Sequence, residues 1–234
     1  MKNFVKTLNK MGYMTTYIDL ITRAFINHAL ISKSSLEIGA AYGATAKQAL
    51  SSGVKNLIVN DLDERHLDQL NKELNDQERA NVVLKPGRFP QDLDFPSQSI
   101  EAILASRIVH ILEPKDFIEG IRKIHDWLIP GGKAYIVVDT PFLGILKEFQ
   151  PIYQKNIQIK ARWPGYIEDT SLYAKERRDD IPKSVNFMDL ETLSKSFQEN
   201  NFLIEKKYYI PRPDFPEDLQ LDQRESAGII AVKI

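Results

Sequence analysis

With 234 residues, 31 of them basic and 32 acidic, the chain is long enough for one sizeable core and carries a formal net charge of −1, so no global field draws it onto nucleic acid or an anionic membrane. It has no cysteine and four histidines, which excludes disulfides, thiolate catalysis and thiolate zinc sites, and no metal centre is expected. Lys2, Lys6 and Lys10 are followed by no continuous apolar stretch, and no later run reaches the length of a membrane span; a soluble, cytoplasmic protein without membrane contact is expected.

In chain order, "YIDLITRAFINHALI" from Tyr17 places Ile18, Ile21, Phe25, Ile26 and Ala29 on one helical stripe, the pattern of a packing helix. Apolar runs then alternate with helical patterns: "SLEIG" before a helix from about Ala44, "NLIVND" before "ERHLDQLNKELN", then "NVVLKPG" and "IEAILAS". Such alternation predicts a parallel sheet with helices on both faces. In "KDFIEGIRKIHDWLIPGG", Phe117, Ile121, Ile124 and Leu128 form another stripe, and the Pro-Gly-Gly stop leads into the buried strand "KAYIVVD". Between Thr140 and Ser184 aromatic residues mix with charges and no strand signal appears, as in an inserted cap. Within it, "KERRDD" (Lys175 to Asp180) mixes signs and reads as a solvated face. Asn186 is placed to cap a helix carrying Leu190, Leu193 and Phe197, followed by "FLIEKKYYI", a proline-rich loop and "AGIIAVKI"; two strands joined without a crossover helix pair antiparallel. The expected organisation is a single domain of four parts: an N-terminal helical cap (1–33), a cofactor-binding core (34–140), a cap or substrate insertion (141–185), and a C-terminal helix and strand pair (186–234).

The chemistry concentrates in "LEIGAAYGA", Leu36 to Ala44. A glycine-containing turn between a first strand and a helix lets a nucleotide-like cofactor approach the backbone at the carboxyl ends of the strands. Asp61, 22 residues beyond Gly39, ends the next strand where a carboxylate accepts hydrogen bonds from ribose hydroxyls. Glu37 separates two cofactor classes. A carboxylate facing a pyrophosphate adds repulsion, whereas S-adenosylmethionine, with an ammonium, a sulfonium and no phosphate, gains from it.

These residues carry a resemblance. "LEIGAAYG" is similar to the acidic-x-Gly-x-Gly-x-Gly loop of class I S-adenosylmethionine-dependent methyltransferases of the small-molecule type, and "LIVNDLDE" to their ribose-binding motif. "GRFPQDLDFPSQSIEAILASRIVHIL" and "WLIPGGKAYIVV" resemble two further motifs of that family, in the same order. The resemblance implies a Rossmann-like, seven-stranded, mostly parallel sheet with the last strand antiparallel, helices on both faces, and a cap inserted between the fifth and sixth strands. It implies methyl transfer by in-line displacement, with S-adenosylhomocysteine as second product. Cofactor contacts are then expected from Glu37, Gly39, Ala41, Asp61, Leu62, Arg88, Phe89 and Ser106.

Two positions depart from the family pattern. Ala41 replaces the middle glycine, adding a methyl where the cofactor passes. Arg88 stands where an aspartate commonly reaches the adenine amino group, and an arginine cannot accept that hydrogen bond; stacking on the ring beside Phe89, or recognition by backbone groups and Leu62, would take its place. Glu101 replaces a structural aspartate. His110, just after the fourth strand, is the candidate general base, with a local packing or capping role as the alternative. Asp139 either faces the acceptor or serves the turn. His28, His66 and His125 read as structural or solvated. Acceptor contacts are expected from Tyr13, Tyr17, Trp163 and Tyr166, although aromatic residues in the insertion equally suit a small core of its own. The expected partner is a small-molecule acceptor, with no nucleic acid; the oligomeric state is left open. A catalytically silent cofactor-binding protein, a methyltransferase acting on protein or RNA, and a nicotinamide-dependent oxidoreductase are the alternatives.

Overall fold

In the computed structural model, residues 4–177 and 181–234 are described; Arg178, Asp179 and Asp180 of the "KERRDD" run lie outside them. Strands β1 (Phe4–Lys6) and β2 (Tyr13–Thr15) pair antiparallel ahead of α1 (Leu20–Ala29). The core then runs β3 (Ser35–Ile38), α2 (Ala44–Ser51), β4 (Leu57–Asp61), α3 (Glu64–Glu73), α4 (Asp76–Arg79), β5 (Val82–Pro86), β6 (Ile100–Ser106), α5 (Pro114–Trp127) and β7 (Leu128–Asp139). After β7 come α6 (Gln150–Gln158), β8 (Tyr166–Ile167), β9 (Val185–Asn186), α7 (Leu190–Gln198), β10 (Phe202–Ile210) and β11 (Ser226–Lys233). Seven strands form one sheet in the order β10-β11-β7-β6-β3-β4-β5. The pairs from β5 to β7 are parallel, and β11 runs antiparallel to both β7 and β10. Among the described residues no helix is long and apolar enough to cross a membrane.

Strand alternation sends successive side chains to opposite faces, and the sheet uses both. Leu36, Ile38, Ile103, Ile136 and Val138 meet α5 and α7 through Phe117, Ile121, Ile124, Leu193 and Phe197. Leu57, Val59, Leu104 and Val137 meet α1, α2 and α3 through Phe25, Ala46, Ala49 and Leu70. The α1 stripe is buried at Ile21, Phe25, Ile26 and Ala29, but the helix starts only at Leu20, because Asp19 caps it by accepting from the backbone N–H groups of Ile21 and Thr22. Glu101 accepts from the Lys33 N–H, a structural role. Phe142, Phe149 and Tyr153 of residues 141–185 build a third core with Phe187, just after β9, and with Phe215 and Leu219 from the β10–β11 loop.

Four details differ from expectation. The N-terminal segment holds a strand pair as well as a helix. The insertion contains β8, which pairs with β9; two residues are too few to show a period. Strand β7 begins at Leu128, before Pro-Gly-Gly, because Leu128 already pairs with Ile100 and an irregularity before Ala102 absorbs the extra residues. The cap of α7 is Asp189, which accepts from the Thr192 N–H at 2.7 Å, while Asn186 lies buried in β9.

Trp127 is 1% exposed, with Phe89 and Phe95 edge-on at 6.2 and 4.9 Å. Trp127→Ala is expected to cost about 3–5 kcal/mol in urea unfolding, whereas Ile31→Ala, at a position 84% exposed, stays within about 0.5 kcal/mol. Equal effects would contradict this description of the core.

Candidate cofactor and acceptor site

The turn from β3 to α2 is shaped by backbone groups of β4. The N–H groups of Gly39 and Ala40 both donate to the Asn60 carbonyl at 2.9 Å, and Ala41 N–H donates to Asp61 Oδ2 at 2.7 Å. Gly39 has φ +73°, and a Cβ there would lie 2.3 Å from Ile108 Cγ2, so only glycine fits. Ala41 sits at φ +48°, a left-handed conformation that glycine adopts freely and alanine adopts at some cost. The methyl therefore comes with backbone strain in addition to bulk.

Asp61 is the hub of this region. Besides Ala41, its Oδ1 accepts from Asp63 N–H at 2.9 Å and meets His66 Nδ1 at 2.9 Å. His66 is fully buried, and its Nε2 accepts from the Leu8 N–H at 2.9 Å. A ring nitrogen that accepts carries no proton, so these partners assign the neutral tautomer with the proton on Nδ1, donated to Asp61. Tyr42 lies edge-on to His66 at 4.7 Å and donates from its hydroxyl to the Lys6 carbonyl. Sequence reasoning left His66 as structural or solvated; its spacing from Asp61, one helical turn into α3, was the available signal.

Glu37 is 5% exposed, and its Oε2 has no hydrogen-bond partner. Burial pushes its carboxyl up to about 8, against hydrogen bonds from Thr45 and the Ala46 backbone, and the nearby Asp61 adds to the rise. A buried carboxylate with no cation beside it is poised for a cationic ligand. Together with the close-approach turn and Asp61, this donor set fits the ammonium and ribose of S-adenosylmethionine, and it opposes a pyrophosphate.

At the ends of β6 and β7 a second polar cluster forms. Arg107 donates to Asp139 through Nε and Nη2, each at 3.0 Å, and Ser226 Oγ donates to Asp139 at 3.0 Å. His110 Nδ1 accepts from the Asp139 N–H at 3.4 Å, and its Nε2 lies 3.7 Å from Asp139 Oδ2. Both ring nitrogens thus face Asp139. Burial drives the His110 imidazole down to about 4, Asp139 opposing and Arg107 assisting, so the ring is neutral at physiological pH and a weak proton acceptor. Burial alone would raise the Asp139 carboxyl, but Arg107 and His110 outweigh it and hold it well below the usual carboxylate range. Arg212, 2% exposed, donates to Asp214 at 2.8 Å, lies 3.7 Å from Asp19, and shares the Phe215 ring with Arg107. Thr15 Oγ1 donates to the same Asp214 at 2.7 Å.

These groups line one cavity of about 400 Å³, within the range of small-molecule sites. Tyr13, Tyr17, Glu37, Gly39, Ala41, Asp61, Leu62, Arg88, Phe89, Ser106 and His110 all line it, as do His66, Arg107, Asp139 and Arg212. Trp163 and Tyr166 do not: Trp163 packs edge-on against Phe117 at 5.8 Å, and Tyr166 donates to Glu113 at 2.9 Å. Phe89 reaches the cavity with its ring committed to the core, over Gly120 and against Trp127. Arg88 is exposed, and its backbone N–H donates to Asp92 at 3.0 Å. Of the other histidines, His28 pairs with the Tyr135 hydroxyl at 3.0 Å and His125 stands edge-on to Phe202, both structural.

Residues 36–132 match a family model described as a methyltransferase domain. No curated protein matches the chain. Among solved structures, an S-adenosylmethionine-dependent methyltransferase from Mesorhizobium loti aligns at 17% identity and TM-score 0.63, covering 91% of this chain and 95% of the other. One from Methanosarcina mazei aligns at 17% and 0.64, covering 89% and 97%. A chain of the Haloferax volcanii complex between the Trm112 methyltransferase activator and a methyltransferase aligns at 12% and 0.64, covering 91% and 88%. At these identities the structures show a shared fold, the Rossmann-like seven-stranded sheet with its antiparallel strand. Residues 36–132 are thus similar to a methyltransferase domain, and they lie within a sheet that has the fold of class I S-adenosylmethionine-dependent methyltransferases.

Proposed function

We propose that this chain is an S-adenosylmethionine-dependent methyltransferase that acts on a small, largely apolar acceptor. The observation that carries this reading is the apolar lining at the far end of the cavity. The cavity runs from Glu37 and Asp61, beneath the β1–β2 hairpin, to a wall of Leu143 and Ile145 from the insertion, Phe187 from the β9–α7 connection and Leu219 from the β10–β11 loop. Protein and RNA acceptors need an open mouth that admits a chain; an aromatic and aliphatic chamber suits a molecule it can surround.

In this reading Glu37 takes the cofactor ammonium, Asp61 the ribose hydroxyls, the turn Gly39 to Ala41 the close backbone approach, and Leu62 with Arg88 the adenine side. Ser106 lines the passage toward the acceptor. When bound, S-adenosylmethionine supplies a methyl group already activated by its sulfonium, so the chain's task is to align the nucleophile and exclude water. Asp139, held ionised by Arg107, gives the acceptor end a fixed negative group. His110 orients Asp139, and Tyr13 and Tyr17 cover the acceptor. A nucleophile that reacts without a strong protein base, either already ionised or soft, fits this wall best.

The acceptor class is tested by following labelled methyl transfer to panels of small apolar alcohols, amines and carboxylic acids, to total protein and to RNA. Label is expected in small molecules, and Ile145→Trp, which fills the chamber, is expected to lower that transfer at least about tenfold while cofactor affinity changes less than about twofold. Label confined to protein or RNA, or cofactor binding without turnover on any panel, would contradict the reading.

Glu37 gives a second test. Its carboxyl is protonated at neutral pH in the free protein and must ionise to meet an ammonium, so S-adenosylhomocysteine binding is expected to release a proton. Apparent affinity then rises with pH, by at most about tenfold per unit, and levels off near pH 8. The sign for stability is opposite. A raised carboxyl favours the fold while protonated, so its contribution in the free protein falls as pH climbs from the usual carboxylate range through about 8. Glu37→Gln should flatten both dependences; calorimetry in two buffers of different ionisation enthalpy reads the proton release, and its absence in the unmutated protein counts against Glu37 as the ammonium partner.

A further inference from the structure

The β1–β2 hairpin lies over the cavity, which Thr7, Met11, Gly12, Tyr13 and Met14 help to line. Its tip is self-contained: Thr7 donates to the Gly12 carbonyl through both N–H and hydroxyl, at 3.0 Å each. Leu8, in that tip, has a side chain 45% exposed, yet its backbone N–H donates inward to His66 Nε2. The opposite nitrogen of the same ring donates to Asp61. One buried imidazole thus spans the ribose-side acid and the flap above it.

We propose that His66 is a positioning residue that couples cofactor binding at Asp61 to closure of the N-terminal hairpin over the site. The geometry makes the coupling specific. A carboxylate has about four acceptor positions, and Ala41, Asp63 and His66 use three of Asp61's, leaving it able to take a ribose hydroxyl without releasing the ring. While Asp61 holds the Nδ1 proton, Nε2 stays an acceptor, the only form that can bind the Leu8 N–H. If the acid moves or loses charge, the ring loses its reason to keep that tautomer and the hairpin loses an anchor. Two other anchors of the hairpin, the Tyr42 hydroxyl on the Lys6 carbonyl and Thr15 on Asp214, are made to groups other than Asp61. By linkage the effect is reciprocal: a closed hairpin strengthens cofactor binding by the factor with which cofactor strengthens closure.

The inference rests on the reading of Asp61 as the ribose acid, and the experiment separates the two. Hydrogen exchange of residues 4–15 is followed with and without S-adenosylhomocysteine, alongside calorimetric affinity, in the unmutated protein, His66→Asn, Leu8→Pro, the double variant and Asp61→Ala. Asparagine keeps a donor toward Asp61 but no acceptor that reaches Leu8; proline removes the Leu8 donor from a surface position, so it carries the test if the buried substitution fails to fold. The expected result is ligand-induced protection of the hairpin in the unmutated protein, loss of that protection in either single variant, and affinity reduced by about five- to tenfold, the scale of one hydrogen bond. The double variant should be no worse than either single one, because both remove the same bond. Protection retained in His66→Asn and Leu8→Pro, additive losses, or no protection in the unmutated protein overturns the coupling. Unchanged affinity in Asp61→Ala overturns the ribose reading and the coupling with it, whereas lost affinity there with protection intact in the His66 variant overturns the coupling alone.

Discussion

One carboxylate, at the end of the strand beside the β5 edge, organises the turns around one end of the cavity. Asp61 collects N–H groups from the β3–α2 turn, from the start of α3 and from a buried histidine, three pieces of chain that would otherwise end as unsatisfied donors at a sheet edge. The conformation of Ala41 depends on it directly, since a left-handed alanine persists only where its surroundings hold it. Glu37, on the adjacent strand, is held in the opposite state. Both acids line one cavity, but Asp61 accepts from three donors while Glu37 keeps an oxygen without a partner. That contrast gives the two acids different work, one ordering the loop and the other waiting for a cation.

The acceptor end follows a different logic. Arg107, Asp139, Arg212, Asp214 and Asp19 are largely withdrawn from solvent, and burying charge in this way is costly unless each member is paired. Pairing is nearly complete, through a bidentate guanidinium on each of Asp139 and Asp214, and Phe215 packs against both arginines. Glu225 ties the same loop down by accepting three successive backbone N–H groups, from Leu221 to Gln223. The network joins α1, β6, β7 and the β10–β11 loop, whereas the apolar wall is drawn from the insertion, the β9–α7 connection and the β10–β11 loop.

Much of this was legible in the residues. Strands β3 to β7 and their helices announce themselves because each is long enough to show a period, and "LEIGAAYG" with Asp61 marks the turn that lines the cavity because glycine and a terminal carboxylate have few other uses there. The antiparallel ending follows from two apolar runs without a helix between them. What stayed hidden had physical reasons. Strands of two or three residues, such as β1, β2, β8 and β9, carry no periodicity. Arg212 and Asp214 sit in a proline-rich loop far in sequence from Arg107 and Asp139, and only folding brings them together. Trp163 and Tyr166 were reasonable acceptor contacts by composition, yet they turn away from the cavity into core and surface contacts. His66 reads only as structural or solvated on a charged helix, because the hairpin that meets it is itself invisible in the pattern.

The most direct test of the account is calorimetric titration of the protein and of Asp61→Asn with S-adenosylhomocysteine. Asparagine keeps the size of the side chain but loses the charge that holds Ala41, Asp63 and His66 in register, so binding by the unmutated protein and a loss of at least about tenfold in the variant are predicted. Equal binding by the two proteins would contradict the central place given to this carboxylate.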